Sequence, residues 1–361
     1  MQKQKLFRVL SLLLVIALSV LVLAFFTRLC MPKYQRGIVE GAMTAEYYRD
    51  GSAHDVLFIG DCELYENVST VELWRKYGIP SYIRGSAQQL VWHSYYLLRD
   101  ALRSETPKVV VFNVLSLKYN EPQSESYNRM AIDGMRLSLD KLGAIRASMT
   151  DEEQFIEYIF PILRYHSRLT DLKNEDFAYL FRRENVTSAG YYMRADVKPE
   201  ADFPPPMPLS DYTLGEKAMG YLNKMADLCE KKGIALVLVK APTLYPHWYD
   251  EWDEQIASFA KERGIAYRNL IPLRDEIGLD MTKDTYDAGL HLNLSGAEKT
   301  ADYLGAWLQD EFDLPDRRDD PELSEHWSAI EADYEATKAK QLDELERYGE
   351  LRSFGANAIE S

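Results

Sequence analysis

The chain has 361 residues, 46% of them hydrophobic, enough for one sizeable core or two smaller ones. Its net charge of −15 disfavours nucleic acid as a partner. Three cysteines (Cys30, Cys62 and Cys229) exclude a disulfide framework, and with the six histidines they form no zinc pattern, so no metal or cofactor is expected.

Lys3, Lys5 and Arg8 precede Val9–Phe26, an unbroken run of eighteen apolar or small residues. That length suits a membrane span over 9–27, with 1–8 as a cytoplasmic stub. Phe25-Phe26-Thr27-Arg28 does not resemble a signal-peptidase site, nor Thr27-Arg28-Leu29-Cys30 a lipoprotein site, so the span is read as a retained anchor. Arg28, Lys33 and Arg36 balance the basic residues before it. The short stub and large downstream domain favour a cytoplasmic N-terminus and an extracytoplasmic domain. Asn67, Asn185 and Asn293 fit the glycan-acceptor pattern. Two of them flank the site reached below, where a glycan would block access, so the domain is read as a bacterial exported one.

The globular part opens with Val56–Ile59, a short apolar run ending in Gly60-Asp61-Cys62, as in a strand buried on both faces. Ser69-Thr70-Val71-Glu72 is a capping box for a helix to about Tyr77. A short strand follows at Ser81–Arg84, broken by Gly85-Ser86, then a helix over about 89–103 and a second buried strand at Lys108–Asn113. This is strand–helix–strand spacing for a right-handed parallel sheet. From Tyr127 to Arg183 the pattern is helical and aromatic-rich, and Pro199, Pro204, Pro205, Pro206 and Pro208 stiffen the next loop. A helix over 214–231, a strand at 234–239, a helix over 250–263 and a strand at 266–271 resume the alternation. Ser295-Gly296-Ala297-Glu298 reads as another capping box, for a helix to about Gln309. The predicted fold is a three-layer α/β/α doubly wound parallel sheet over 55–311, flavodoxin-like, with 127–210 as a helical insertion and proline-rich loop. Residues 316–361 form a charged helical tail. Leu323, Trp327, Ile330 and Tyr334 recur there at helical spacing, which fits either a packed helix or a solvated one.

Ligands of open parallel sheets sit beyond the carboxyl ends of the strands. Cys62, Gly85, Asn113 and the pair Asp287/His291 all fall there. Acyl transfer needs a nucleophile, a base and donors facing the oxyanion. Cys62 fits the first, His291 the second with Asp287 holding its ring, and Gly85, Asn113 and the Cys62 N–H the third. Lys240, His247 and Trp248, on a loop after a strand, are candidates to line the substrate cleft. His54, His93 and His166 have no patterned partner and are read as structural.

Gly60-Asp61-Cys62, Gly85, Asn113 and Asp287…His291 resemble, in order, the four blocks of the SGNH/GDSL hydrolase superfamily. With the N-terminal span, Asp61-Cys62-Glu63-Leu64 and His291-Leu292-Asn293 are similar to membrane-anchored envelope members such as DltD and the alginate acetylation proteins. The resemblance covers about Asp55 to Gln309. It implies an esterase or O-acyltransferase of extracytoplasmic glycan or acylated polymer, with a multi-span membrane acyltransferase as a candidate partner. In it Cys62 takes the nucleophile position, Gly85 and Asn113 the oxyanion positions, and Asp287 and His291 the rest of the triad. Three departures stand out. Cysteine replaces serine, Val114 follows Asn113 where the family has aspartate, and three residues separate Asp287 from His291 instead of two, leaving Asp284 as an alternative partner. The competing reading is a binding or scaffold protein that keeps the fold without turnover, with Cys62 as a small buried hydrophobe.

Overall fold

The computed structural model describes residues 2–31, 40–181 and 185–354. Lys33 and Arg36 of the orientation argument, Arg183 at the end of the helical stretch and residues 355–361 of the tail lie outside it.

Five strands, β1 (Val56–Gly60), β2 (Ser81–Gly85), β3 (Val109–Asn113), β4 (Ala235–Lys240) and β5 (Ala266–Asn269), form one parallel sheet in the order β2-β1-β3-β4-β5. Val56, Leu57, Phe58 and Ile59 are fully buried, as a strand covered on both faces requires. Gly60 pairs with Gly85, Ile59 with Phe112 and Asn113 with Val239, so the strand ends line up. Strand order reverses between β1 and β3, which opens a crevice there.

The α-helices in chain order are α1 (Gln2–Cys30), α2 (Glu40–Asp50), α3 (Cys62–Tyr65), α4 (Thr70–Tyr77), α5 (Val91–Ala101), α6 (Glu125–Ile132), α7 (Leu139–Ser148), α8 (Phe155–Ile159), α9 (Ile162–Tyr165), α10 (Asn174–Phe181), α11 (Glu216–Lys232), α12 (Asp250–Arg263), α13 (Arg274–Ile277), α14 (Leu294–Phe312) and α15 (Pro321–Tyr348). Right-handed crossovers send α4 and α14 to one face of the sheet and α5, α11 and α12 to the other. The first pair sits close because Gly305 has no side chain: a Cβ there would lie 2.4 Å from the Tyr77 ring. Ser69 caps α4 by accepting from Glu72 N at 3.3 Å, as its capping box requires. The start of α14 differs from expectation. Asn293, not Ser295, is its cap, accepting from Gly296 N at 3.2 Å.

Two further features were not legible in the sequence. One is α2, whose Asp50 holds His54 Nε2 at 3.1 Å while Glu105 holds Nδ1 at 2.9 Å. The other is the fate of the insertion. The chain forms two compact units, one of Met1–Lys33 with Glu153–Glu184 and one of Tyr34–Glu152 with Asn185–Ser361. So α6 and α7 belong with the sheet, while α8 to α10 belong with α1. Within the smaller unit Arg168 Nη1 donates to the Cys30 and Met31 carbonyls at 2.8 and 2.7 Å. The 29 residues of α1 rise about 43 Å, long and apolar enough to cross a membrane.

The tail helix α15 is packed. Trp327 is fully buried and stacks on Trp74 with centroids 5.2 Å apart. Tyr334 donates to Glu298 at 2.8 Å, and Gln341 bridges Met193 O and Ala195 N at 2.9 and 2.7 Å. Trp327→Ala should therefore cost about 3–5 kcal/mol, measured as a lowered urea midpoint of the purified protein. A midpoint equal to wild type would mean that the tail contributes nothing to the domain.

Candidate active site

The site begins where β1 turns into α3. The turn leaves little room for a side chain at Gly60: a Cβ there would lie 3.0 Å from both Asn113 Cβ and Leu64 Cδ1, so those side chains would have to shift. Asp61 caps α3, its Oδ1 accepting from Glu63 N at 3.1 Å, and Cys62 is the first helical residue. Its N–H has no acceptor among the described residues, as expected for a first-turn donor. Beneath it lies a buried polar network. Glu63 Oε1 accepts from Lys240 Nζ at 2.8 Å and Thr243 Oγ1 at 2.7 Å. Asn113 Nδ2 donates to Glu63 Oε2 and Asp61 Oδ1, both at 3.0 Å. Burial, and then the Glu63 charge, push the Asp61 carboxyl up to about 6.

The histidine arrives on the loop before α14. Ala288 and Gly289 both have left-handed backbone (φ 68° and 97°), and this folds the loop back on itself. The longer spacing is thereby absorbed. Asp287 Oδ1 accepts from His291 N at 2.8 Å, and its Oδ2 from His291 Nδ1 at 2.6 Å. Leu292 N donates to Asn67 Oδ1 at 2.7 Å, pinning the loop to the segment after α3. The ring and the Cys62 side chain line the same cavity and act on each other electrostatically, and with Nδ1 engaged by Asp287 the nitrogen left for a proton is Nε2.

Sequence reasoning missed Glu66, whose Oε2 lies 3.7 Å from His291 Nδ1 and accepts from the Tyr286 hydroxyl. Its nearness to the imidazole follows from the loop fold, which no local motif announces. Burial opposes a charged ring, but Glu66, the Cys62 sulfur and the Asp287 hydrogen bond outweigh it and hold the imidazolium well above the usual range. For the thiol, burial dominates and pushes it up to about 11, with His291 pulling the other way.

Cys62 and His291 open on a cavity of about 160 Å³ lined also by Leu90, Leu115, Tyr119 and Tyr245. Several candidates are not at it. Gly85 ends β2, packed against Tyr65 and Gly60. Asn113 is buried with both amide hydrogens on carboxylates, so it faces the network rather than an oxyanion. Lys240 is fully buried on Glu63, not in the cleft. Trp248 turns its Nε1–H to Asp253 at 3.0 Å. His247 packs edge-on to Tyr245 on the rim, 5.7 Å between centroids, without lining the cavity. Asp284 accepts from Lys299 at 2.6 Å and is not the partner of His291. Residues that do line the cavity and that no motif marked are Gln88, Ser116 and Lys118.

No family model and no curated protein matches the chain. Among solved structures it is similar to a protein assigned to the G-D-S-L family of lipolytic proteins from Desulfitobacterium hafniense, at 12% identity and TM-score 0.34, over 70% of this chain and 97% of that one. It is also similar to a GDSL-like lipase from Bacteroides thetaiotaomicron, at 12% identity and TM-score 0.36, over 75% and 99%. No role assigned below rests on them.

The raised thiol sets a pH dependence. A free cysteine, with pKa ~8.5, levels off in alkylation rate above that pH. Because the Cys62 thiol is pushed up to about 11, its iodoacetamide rate should keep climbing to about pH 10 without a plateau. His291→Ala removes a stabilising charge and should slow labelling further at every pH. Peptide mapping of labelled Cys62 reads both; a plateau below about pH 8 would instead mean a preformed thiolate.

Proposed function

We propose that the chain is a thiol-dependent esterase or O-acyltransferase, anchored in a bacterial membrane and acting on acyl groups of an extracytoplasmic glycan or related polymer. The observation that carries the chemistry is that Cys62 and the Asp287-bound His291 open on one cavity. Cys62 sulfur would attack the acyl carbonyl as its proton passes to neutral His291. The carbon–oxygen bond to the alcohol then breaks, the alcohol taking that proton, and a thioester remains. Water or a sugar hydroxyl would attack the thioester, His291 accepting its proton and returning it to sulfur. The unpartnered Cys62 N–H is a donor for the oxyanion. Since burial and nearby carboxylates leave both sulfur and ring protonated at neutral pH, one proton must leave before attack, and the rate should rise with pH.

Membrane attachment rests on α1 and on its own unit. There Ile156, Phe160, Leu163, Leu169, Phe177 and Phe181 are exposed, Phe181 by 88%. Apolar side chains clustered beside the end of a span suit the headgroup region of a bilayer. The short stub before the span and the large domain after it favour an extracytoplasmic domain. A multi-span membrane acyltransferase is the partner this reading would pair with transfer rather than hydrolysis.

Two observations favour a second reading, a scaffold without turnover. The thiol is pushed up to about 11, and Asn113 is committed to carboxylates instead of the cavity. The two readings separate on kinetics with a p-nitrophenyl acetyl ester. On the enzymatic reading Cys62→Ala falls to background and His291→Ala loses about 10²–10⁴-fold in kcat/KM. Asp287→Asn should lose less, because a thiol depends less than a hydroxyl on an oriented base. Esterase activity undiminished in Cys62→Ala would leave only the second reading.

A further inference from the structure

The cavity over Cys62 contains one lysine. Lys118 closes the short 3-10 turn Val114–Lys118 that follows β3 and is half-buried. Among the described residues no carboxylate lies within ion-pair distance of its ammonium, which sits 5.0 Å from the Tyr119 ring centroid and feels Glu63 and Asp61 only through space. Nearby cations differ: Lys240 is paired with Glu63, Arg274 with Glu200 and Arg194 with Asp196. The carboxylates that share the cavity wall are engaged elsewhere, Asp61 with Glu63 N and Asn113, and Glu63 with Lys240, Thr243 and Asn113.

Two residues before Lys118, Ser116 lines the same cavity. It is 2% exposed, and its hydroxyl has no hydrogen-bond partner among the described residues. Buried hydroxyls and half-buried charges are ordinarily paired, because desolvation without a partner is costly. Here a cation without an ion pair and a hydroxyl without a hydrogen bond share one turn at the same wall. Burial accordingly pulls the Lys118 ammonium below its usual range. A bound anion would satisfy both groups at once. Apart from Gln88 and Gln89, the rest of the wall is apolar or aromatic (Leu90, Leu115, Tyr245, Pro246 and Leu290 among it), which suits a short carbon chain.

We propose that the cavity takes short acyl groups bearing a negative charge, a carboxylate such as that of a half-esterified dicarboxylic acid, with Lys118 as the specificity-determining cation and Ser116 as a second contact. The proposal rests on the reading of Cys62 as the residue that is acylated, and it names the acyl class.

Iodoacetate and iodoacetamide alkylate a thiolate by the same displacement of iodide and differ by one charge. Their rate ratio at Cys62, divided by the ratio at glutathione, therefore reports the field in the cavity independently of the thiol pKa. In the full-length protein in detergent this normalised ratio should favour iodoacetate by about tenfold, the effect of one nearby charge in a partly buried site. Lys118→Met should bring it to about one and Lys118→Arg should retain it. A wild-type ratio near one, or one unchanged in Lys118→Met, overturns the proposal. The same variants are compared on the p-nitrophenyl half-ester of succinate against the butyrate ester. The succinate preference in kcat/KM should fall about tenfold in Lys118→Met; an unchanged preference overturns the proposal. Alkylation needs no turnover. An iodoacetate preference in a protein that cleaves no ester would sink the acyl-transfer reading alone, while active enzyme without charge preference would sink only the acyl class.

Discussion

The buried ion pair between Glu63 and Lys240 is the constraint from which the site follows. Both side chains are almost wholly excluded from water, and every lone pair and proton that counts is used: Thr243 and Asn113 complete Glu63, and the Ala241 and Thr243 carbonyls complete Lys240. A buried pair of this kind is weak evidence for net stability, but removing one partner strands the other charge at a cost of about 3–5 kcal/mol. Its value here is positional. Glu63 belongs to the turn after β1, Asn113 ends β3 and Lys240 ends β4, so the network ties three strand ends together directly under Cys62. With Asp61 capping α3 from the same network, the backbone at Cys62 is fixed.

Above that floor the chemistry is a matter of competing charges. Burial disfavours both the thiolate and the imidazolium. Glu66 and Asp287 restore the charged ring, and the Tyr286 hydroxyl holds Glu66 in place. The outcome is a thiol and a ring that both hold their protons above the usual range. A serine in place of Cys62 would lean on the same imidazole far more, since a hydroxyl has almost no anionic fraction of its own at neutral pH.

Much of the frame was readable from residues, and the reasons are physical. β1, β3 and β4 are unbroken apolar runs with turn residues at their ends, the signature of strands covered on both faces, and α4 carries its own cap. Cys62 and His291, expected together from the order of blocks along the chain, line one cavity. What escaped had no local cause. Asn113 was expected at an oxyanion, yet two carboxylates brought in by the Asp61–Glu63 turn claim its amide. Lys240 was expected in the cleft because it follows a strand; its register under Glu63 buries it instead. The three-residue spacing before His291 looked too long until the left-handed pair Ala288–Gly289 shortened it. Glu66 and Lys118 carry no motif at all and acquire meaning only from what folds against them.

The measurement that bears most directly on this account is the mass of the protein itself during turnover. Mixed with a p-nitrophenyl acetyl ester and quenched in acid, the wild-type chain should carry one acetyl group on the peptide containing Cys62, and the His291→Ala chain should carry none. Ester consumption at an undiminished rate with no acyl group on that peptide at any time would contradict it.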